Sequence, residues 1–471
     1  MNIKKMVIPI FFAASVFIVQ AQENWGLDQC IKHALENNMQ IKQQSLNVLY
    51  SNNLATLSKA AVLPSLNAGA SHNFNFGRAI DPYTNEFIST NVQSNNAYVS
   101  ARMNLFTGLQ QYNNIRKTSF DLLAGQSDLE KTKNDVSMLI ATAYLQILFS
   151  EELLQISQAR LTVTESQILR TEKLVTAGSL PEGNLLEVQS QAAQETLQVI
   201  NAQNQLNSSK LTLKQILDIK SNVDFQIIRP DFSAYVMTSQ LLSVEEIYSA
   251  AAGMPQIKSA EYKLQSAERS VAIAYAGASP KLSLSANLSS GYSDARKQYS
   301  IGNATFIPIG FVEGTTTKVL SPSVERIEEP YSFIDQYTDN ASSSIGISLS
   351  IPIFNNLQIG KNISNSKISL QNSRLQLEQT KNQLYKDIQQ AHADAQAAFA
   401  KFEGSTKAFN AMQLSFKYTQ QKFDLGLLTS VDYNLAKNQL ANTESQLLQA
   451  KYEYIFKKSI LDFYSGKELR F

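Results

Sequence analysis

Four short segments alternate apolar and polar residues with a period of two, and each reads as a strand. In the first, Leu66, Ala68, Ala70, Phe74 and Phe76 alternate with Asn67, Gly69, Ser71, Asn73 and Asn75. The second sets Ala97, Val99, Ala101, Met103 and Leu105 against Asn96, Tyr98, Ser100, Arg102 and Asn104. Later in the chain Leu282, Leu284, Ala286, Leu288 and Tyr292 alternate with small polar residues, and Ile345, Ile347, Leu349, Ile351 and Ile353 do the same.

Between the strand pairs the period changes. From Gly108 to Ala177 there is no proline, and a 4-3 stripe runs through Val136, Ile140, Ala143, Ile147, Ser150, Leu154, Ser157, Leu161, Thr164, Ile168, Thr171 and Val175. Leu384, Ile388, Ala391, Ala395, Ala398, Phe402, Ser405, Phe409, Met412, Phe416, Thr419 and Phe423 repeat it. A sustained 3.5-residue period predicts coiled-coil packing, and some 70 helical residues would extend about 105 Å. Each long helix is predicted to end at a glycine, Gly178 or Gly426, with return helices over Gln191–Leu217 and Gln439–Asp462.

The two halves are copies. Phe106 stands 72 residues before Gly178, and Phe354 stands 72 before Gly426. Leu129-Glu130-x-Thr132-Lys133-Asn134 recurs 248 positions later as Leu377-Glu378-x-Thr380-Lys381-Asn382. Upstream the offset is 216, matching Ile31, Ala34, Pro64 and Leu66 to Ile247, Ala250, Pro280 and Leu282. A 32-residue insertion therefore falls in the strand-to-strand region of the second copy. The repeating unit is a long helix, two strands and a helical hairpin.

This divides the chain into a signal peptide (1–21), a first repeat (22–219), a linker (220–242), a second repeat (243–466) and a tail (467–471). Lys4 and Lys5, the apolar run Met6–Val19 and Val19-Gln20-Ala21 form a secretory signal. Cys30, in Leu27-Asp28-Gln29-Cys30, reads as an ordinary helix residue and not a lipidation site, because Gln29 is too large and the apolar run ends far upstream. One cysteine excludes an internal disulfide, and a net charge of +1 offers nothing to nucleic acid.

After residue 21 no apolar run of spanning length occurs, so an exported chain of this kind crosses a membrane as β-structure. Each strand reaches the roughly 9–11 residues a tilted membrane strand needs. Their small, neutral polar faces suit a water-filled lumen more than a soluble sheet. Four strands cannot enclose a lumen, so the barrel must be shared among two, three or four chains. The hairpin loops about Arg78–Asn95 and Asp294–Asn340 differ in length, and the second reads as an extracellular loop.

The order of elements, the Leu63-Pro64 and Ser279-Pro280 junctions, the strand ends at Phe106 and Phe354 and the two glycine tips resemble the TolC family of outer-membrane efflux channels. The resemblance covers about Leu27 to Gly466. It implies a mainly α protein with membrane β-structure: α-hairpins forming an α-barrel, and four strands per subunit completing a 12-stranded barrel in a homotrimer. Partners would be a periplasmic adaptor, an inner-membrane pump of RND, ABC or MFS type, and outer-membrane lipid. The tips Gly178 and Gly426 would dock the adaptor, with Pro64 and Pro280 marking the helix–strand junctions. The periplasmic mouth would be lined by Asp432 with Asn184 at the matching place, and Phe423 is a further candidate for the constriction. Where the family carries a second acidic residue this chain has Leu435, which argues against a double carboxylate ring.

His33, His72 and His392 lie far apart, and no metal-ligand spacing, phosphate loop or nucleophile motif is present. The sequence therefore predicts no enzyme and no cofactor. Its leading reading is a passive exit duct for small molecules such as drugs, toxic compounds or metal ions. The alternatives are a type I protein-secretion duct and a structural or adhesive envelope coiled coil.

Overall fold

The computed structural model describes residues 24–80, 85, 87–88, 91–219, 225–230 and 241–467. The signal peptide and most of the linker and tail predicted above lie outside the described residues. The chain falls into two compact units.

The first unit (1–50, 123–262, 374–471) is helical. It contains β1 (Asn24–Trp25), α1 (Leu27–Asn37), the start of α2 (Met39–Ala60), most of α3 (Gln110–Thr176) and all of α4 (Glu182–Ile216). β6 (Gln226–Ile227), α5 (Val244–Ala251), the start of α6 (Pro255–Ala276), most of α8 (Gln358–Asp424) and α9 (Ser430–Tyr464) complete it. The duplication is metrical. α3 and α8 each have 67 residues, α4 and α9 each 35, and α2 and α6 each 22.

Every predicted seam residue of α3 and α8 is buried or half-buried. Two cores form, one around α1 and one around α5, and α9 of the second repeat contributes to both. Cys30 and Ala34 of α1 meet Ile140, Tyr144 and Ile147 of α3, Leu213 of α4 and Ile455 of α9. Ile247 of α5 and Ile257 of α6 meet Leu384, Ile388 and Ala395 of α8. Each fully buried leucine or isoleucine contributes about 1.5–3 kcal/mol relative to exposure. The Tyr144 hydroxyl donates to the carbonyls of Trp25 and Ile228, beside the parallel pairing of β1 with β6.

Three expectations change. The predicted single long helix that opens each repeat is two. Asn38 breaks the first with an extended backbone (ψ 132°), and its Oδ1 accepts from the Gln40 amide at 2.9 Å to cap α2. In the second repeat Pro255 starts α6, as suits a residue whose missing N–H costs nothing there. The return helices begin nine residues earlier than predicted, at Glu182 and Ser430, because polar first turns hid the helical period. Finally, α3 does hold an 18-residue window apolar enough to cross a membrane, half of it buried. Its apolar residues are broken up by polar ones, and those that are buried face the core just described.

The second unit (51–122, 263–373) is built on a four-stranded antiparallel sheet in the order β10-β7-β5-β2. β2 is Ser65–Asn75, β5 Val92–Phe106, β7 Lys281–Ser293 and β10 Ser342–Ser350. The register repeats with the sequence. Ala68 pairs with Val99 in the first copy, and their equivalents Leu284 and Ile347 pair in the second. Leu66, Ala68, Ala70, Ala97, Val99, Ala101, Leu284, Ala286, Ile345 and Ile347 share one face, and serines, asparagines and glycines fill the other. Return from sheet to helix takes two consecutive left-handed residues in each repeat, Gly108-Leu109 and Asn356-Leu357 (φ 53–65°).

The segment read as a loop, Asp294–Asn340, is largely ordered. It holds a two-stranded ribbon, β8 (Lys297–Phe311) with β9 (Lys318–Pro330), and a short helix α7 (Phe333–Asp339). Gly302, Pro308 and Pro322 gave it a loop-like composition, but prolines are tolerated on edge strands and bulges. The register does shift at Ile301/Ala304 and Pro308/Gly310. In the first hairpin, β3 (Ala79–Ile80) pairs with β4 (Phe87–Ile88).

Candidate functional site: the hairpin tips and the polar network behind them

Both tips close by the same device. Gly178 and Gly426 adopt φ 72° and 73°. The Gly178 amide donates to Val175 O at 2.9 Å and the Ser179 amide to Leu174 O at 2.8 Å, a Schellman motif. Gly426 to Phe423 O and Leu427 to Lys422 O, both 2.9 Å, repeat it.

The restart differs between copies. In the second, Thr429 and Asp432 form a capping box: the Asp432 amide donates to Thr429 Oγ1 at 3.2 Å and the Thr429 amide to Asp432 Oδ2 at 3.3 Å. The Thr429 hydroxyl also donates to Oδ2, at 2.7 Å. Asp432 is thus a helix-capping carboxylate, exposed to solvent. In the first copy Pro181 takes the capping position without a side-chain bond, and Asn184, matching Asp432, is half-buried. Phe423 stacks on Tyr433 at 4.6 Å between centroids, which places it in the packing of its own hairpin. Leu425, Leu427, Val431 and Leu435 are exposed at the second tip. Pro64 and Pro280 stand directly before β2 and β7, at the junctions predicted for them.

Behind the tips, polar side chains tie the two hairpins together. Arg170 pairs with Asp424 at 2.7 Å, and the Ser430 hydroxyl donates to Glu187 at 2.8 Å. Deeper in, Lys437 of α9 meets Glu195 of α4 at 3.0 Å and also donates to Thr164 Oγ1 of α3. Thr164 in turn donates to Glu195, as does Gln191. One turn away Arg160 reaches the Ala441 carbonyl and Glu444. A cleft of about 360 Å³ opens beside this network, walled by Ile156, Arg160, Val163, Phe416, Lys437 and Glu444.

Burial holds the Lys437 ammonium below the usual lysine range, and Glu195 partly offsets that by favouring its charged form. Burial likewise raises the Tyr433 hydroxyl. The network was missed from sequence, although a signal existed. Val188, Glu195, Ala202 and Ser209 recur every seven residues and are buried, so Glu195 is a charge on a seam. Lys437 lies on a buried 4-3 stripe of α9 with Ser430, Asn434, Ala441 and Leu448.

The tips and network hold helices against one another and present no reacting group. The chain matches the family described as Outer membrane efflux protein over residues 30–218 and 247–466, the two repeats. Among curated relatives, the pyoverdine export outer membrane protein OpmQ of Pseudomonas aeruginosa is 26% identical over 64% of this chain. The chain spans 65% of that relative's length, just under two thirds. Among solved structures, CusC superimposes with a TM-score of 0.75 at 16% identity, covering 99% of both chains. VceC of Vibrio cholerae gives 0.73 at 14%, covering 94% of this chain and 97% of its own. At such identity the structural likeness concerns the fold.

Proposed function

The chain belongs to the outer membrane efflux protein family, and from that premise we propose that it is a passive outer-membrane exit duct, shared by three copies and fed by an inner-membrane pump through a periplasmic adaptor. Family membership places it in the outer membrane and among channels, not enzymes. The observation that carries the duct reading is the sheet: four strands with one apolar face, and edges β2 and β10 left unpaired among the described residues. An open edge in lipid strands backbone groups at several kcal/mol each. A second and third copy would close it into 12 strands, with the polar faces lining the lumen.

The repeats 22–219 and 243–466 then act as two equivalent staves, their hairpins in the periplasm. Gly178 and Gly426 mark the docking ends for the adaptor, and the exposed Leu425, Leu427, Val431 and Leu435 give it apolar surface. The mouth is lined by Asp432 and Asn184, while Phe423 stays with the seam. Two curated relatives, from Pseudomonas aeruginosa and Pseudomonas putida, are named for pyoverdine export. That favours a small-molecule cargo over protein secretion.

Purified full-length protein should conduct ions in planar bilayers and fractionate with outer membranes. A protein that fractionates there and never conducts would support the structural coiled-coil alternative.

A further inference from the structure

The apolar face of the sheet carries a feature that a plain membrane wall does not need. α7 lies against it and is fastened to β7 by four contacts. The buried Gln336 amide pairs with Ser293, its Oε1 accepting from the Ser293 N–H and its Nε2 donating to the Ser293 carbonyl, both at 3.0 Å. The Ser290 hydroxyl donates to the Tyr337 carbonyl. Asn340 Nδ2 donates to Gly291 O at 2.7 Å, and Phe333 packs on Tyr292 at 5.2 Å. A seven-residue helix held this way is a fixed wall and not a wandering loop.

Between that wall and the sheet is an open groove of about 540 Å³. Its floor is Ala68, Ala70 and Ala97, small side chains on adjacent strands, and its sides are Val99, Leu288 and Tyr337. Ala68, Ala70, Val99 and Leu288 are all exposed, so the groove is shaped but unfilled. Phe333 and Ile334 extend the apolar surface outward from α7.

Position decides what fills it. The opposite ends of these strands run into α2, α3, α6 and α8, so α7 sits at the end of the sheet away from the helices. On the duct reading proposed above, on which this inference rests, the apolar face meets lipid and the α7 end lies in the outer leaflet. Elsewhere on that face Leu66 and Ile345 stand proud and would roll against mobile chains. Here the alanines recess the surface and the rigid wall can hold one chain in place, with little ordering needed from the protein. We infer that the alanine-floored groove beneath α7 is a binding site for one acyl chain of a membrane lipid.

The test uses full-length protein in vesicles of phosphatidylethanolamine bearing a mid-chain diazirine. After photolysis, labelled residues are mapped by mass spectrometry. Label on Tyr337, Leu288 and Ala97 is expected to exceed that on Leu66 and Ile345 by about fivefold, the ratio a preference of roughly 1 kcal/mol gives. Ala97→Phe, which fills the floor, should abolish that excess and leave the rest of the face labelled as before. Ala68→Leu serves the same purpose if the phenylalanine variant fails to assemble. Even labelling of the whole face would overturn the inference while leaving the duct reading intact. Protection of the groove with label elsewhere would overturn it in favour of a protein occupant. An unlabelled face in a non-conducting protein would overturn both.

Discussion

Lys437 Nζ lies 3.0 Å from Glu195 Oε1, with the two side chains only 8% and 4% exposed, so the hairpins of the two repeats are joined by a buried ion pair. Its stability value lies in completeness. Removing one partner leaves the other charge buried and unpaired, at about 3–5 kcal/mol. Lys437→Met alone should lower the thermal midpoint of the assembly sharply, as should Glu195→Leu. The double variant, with two apolar groups facing Thr164, should recover most of the loss. Non-recovery in a thermal unfolding series would mean that Thr164 and Arg160 hold the network without the pair.

The pseudo-symmetry of the repeats makes the contact between copies specific. β5 pairs with β7 so that Ala101 faces Ala286 and Val99 faces Leu288. Shifting β5 forward by 248 and β7 back by 216 sets Leu349 of one copy against Ala70 of the next, and Ile347 against His72. Leu349→Cys with Ala70→Cys, in a Cys30→Ala background, should give disulfide-linked oligomers ending at the trimer on a non-reducing gel. Opposed residues on antiparallel strands lie within the roughly 4.4–6.8 Å between Cα atoms that a disulfide requires. Leu349→Cys with Ser71→Cys puts the thiols on opposite faces and should not link. Equal linking by both pairs would reject this register.

The long helices and main strands were legible because their signals are local: a 4-3 stripe from Val136 to Val175, and strict alternation from Leu282 to Leu288. The ribbon β8–β9 was not, since its bulges interrupt the period at Ile301 and Pro308. Helix starts at Glu182 and Ser430 were hidden by largely polar first turns, Glu182-Gly183-Asn184 and Ser430-Val431-Asp432. The Lys437–Glu195 pair joins positions 242 apart. Each residue marked itself as a charge on an apolar seam, but nothing local said which charge would meet which.

Cys30 gives a pH prediction. It is fully buried in the first-repeat core, and that burial pushes its thiol up to about 12. In the unfolded chain the thiol ionises near its ordinary value of about 8.5. A raised folded value favours the folded state below that ordinary pKa, and the contribution is lost as pH rises towards 12, because the unfolded chain ionises first. At pH 8 almost none of the native thiol is ionised. A thiol reagent should leave native protein unlabelled over hours and label it promptly in denaturant. Rapid native labelling would place Cys30 outside the core.

Asp432 has two candidate roles that one pair of substitutions separates. Its Oδ2 is committed to the Thr429 cap, while the residue remains exposed and carries its charge at the second tip. Asp432→Ala removes both, so it should cost about 1 kcal/mol of hairpin stability through the lost cap and also weaken divalent-cation block from the periplasmic side. Asp432→Asn keeps an acceptor oxygen for the Thr429 amide but discards the charge. Thr429→Ala removes the threonine half of the cap and keeps the charge. If three copies bring this carboxylate to a common mouth, block in single-channel recordings should fall in Asp432→Asn and persist in Thr429→Ala. Thermal stability should order them the other way, with Thr429→Ala the less stable. Block that follows stability and not charge would make Asp432 a capping residue alone, as its uncharged match Asn184 in the first copy would then lead one to expect.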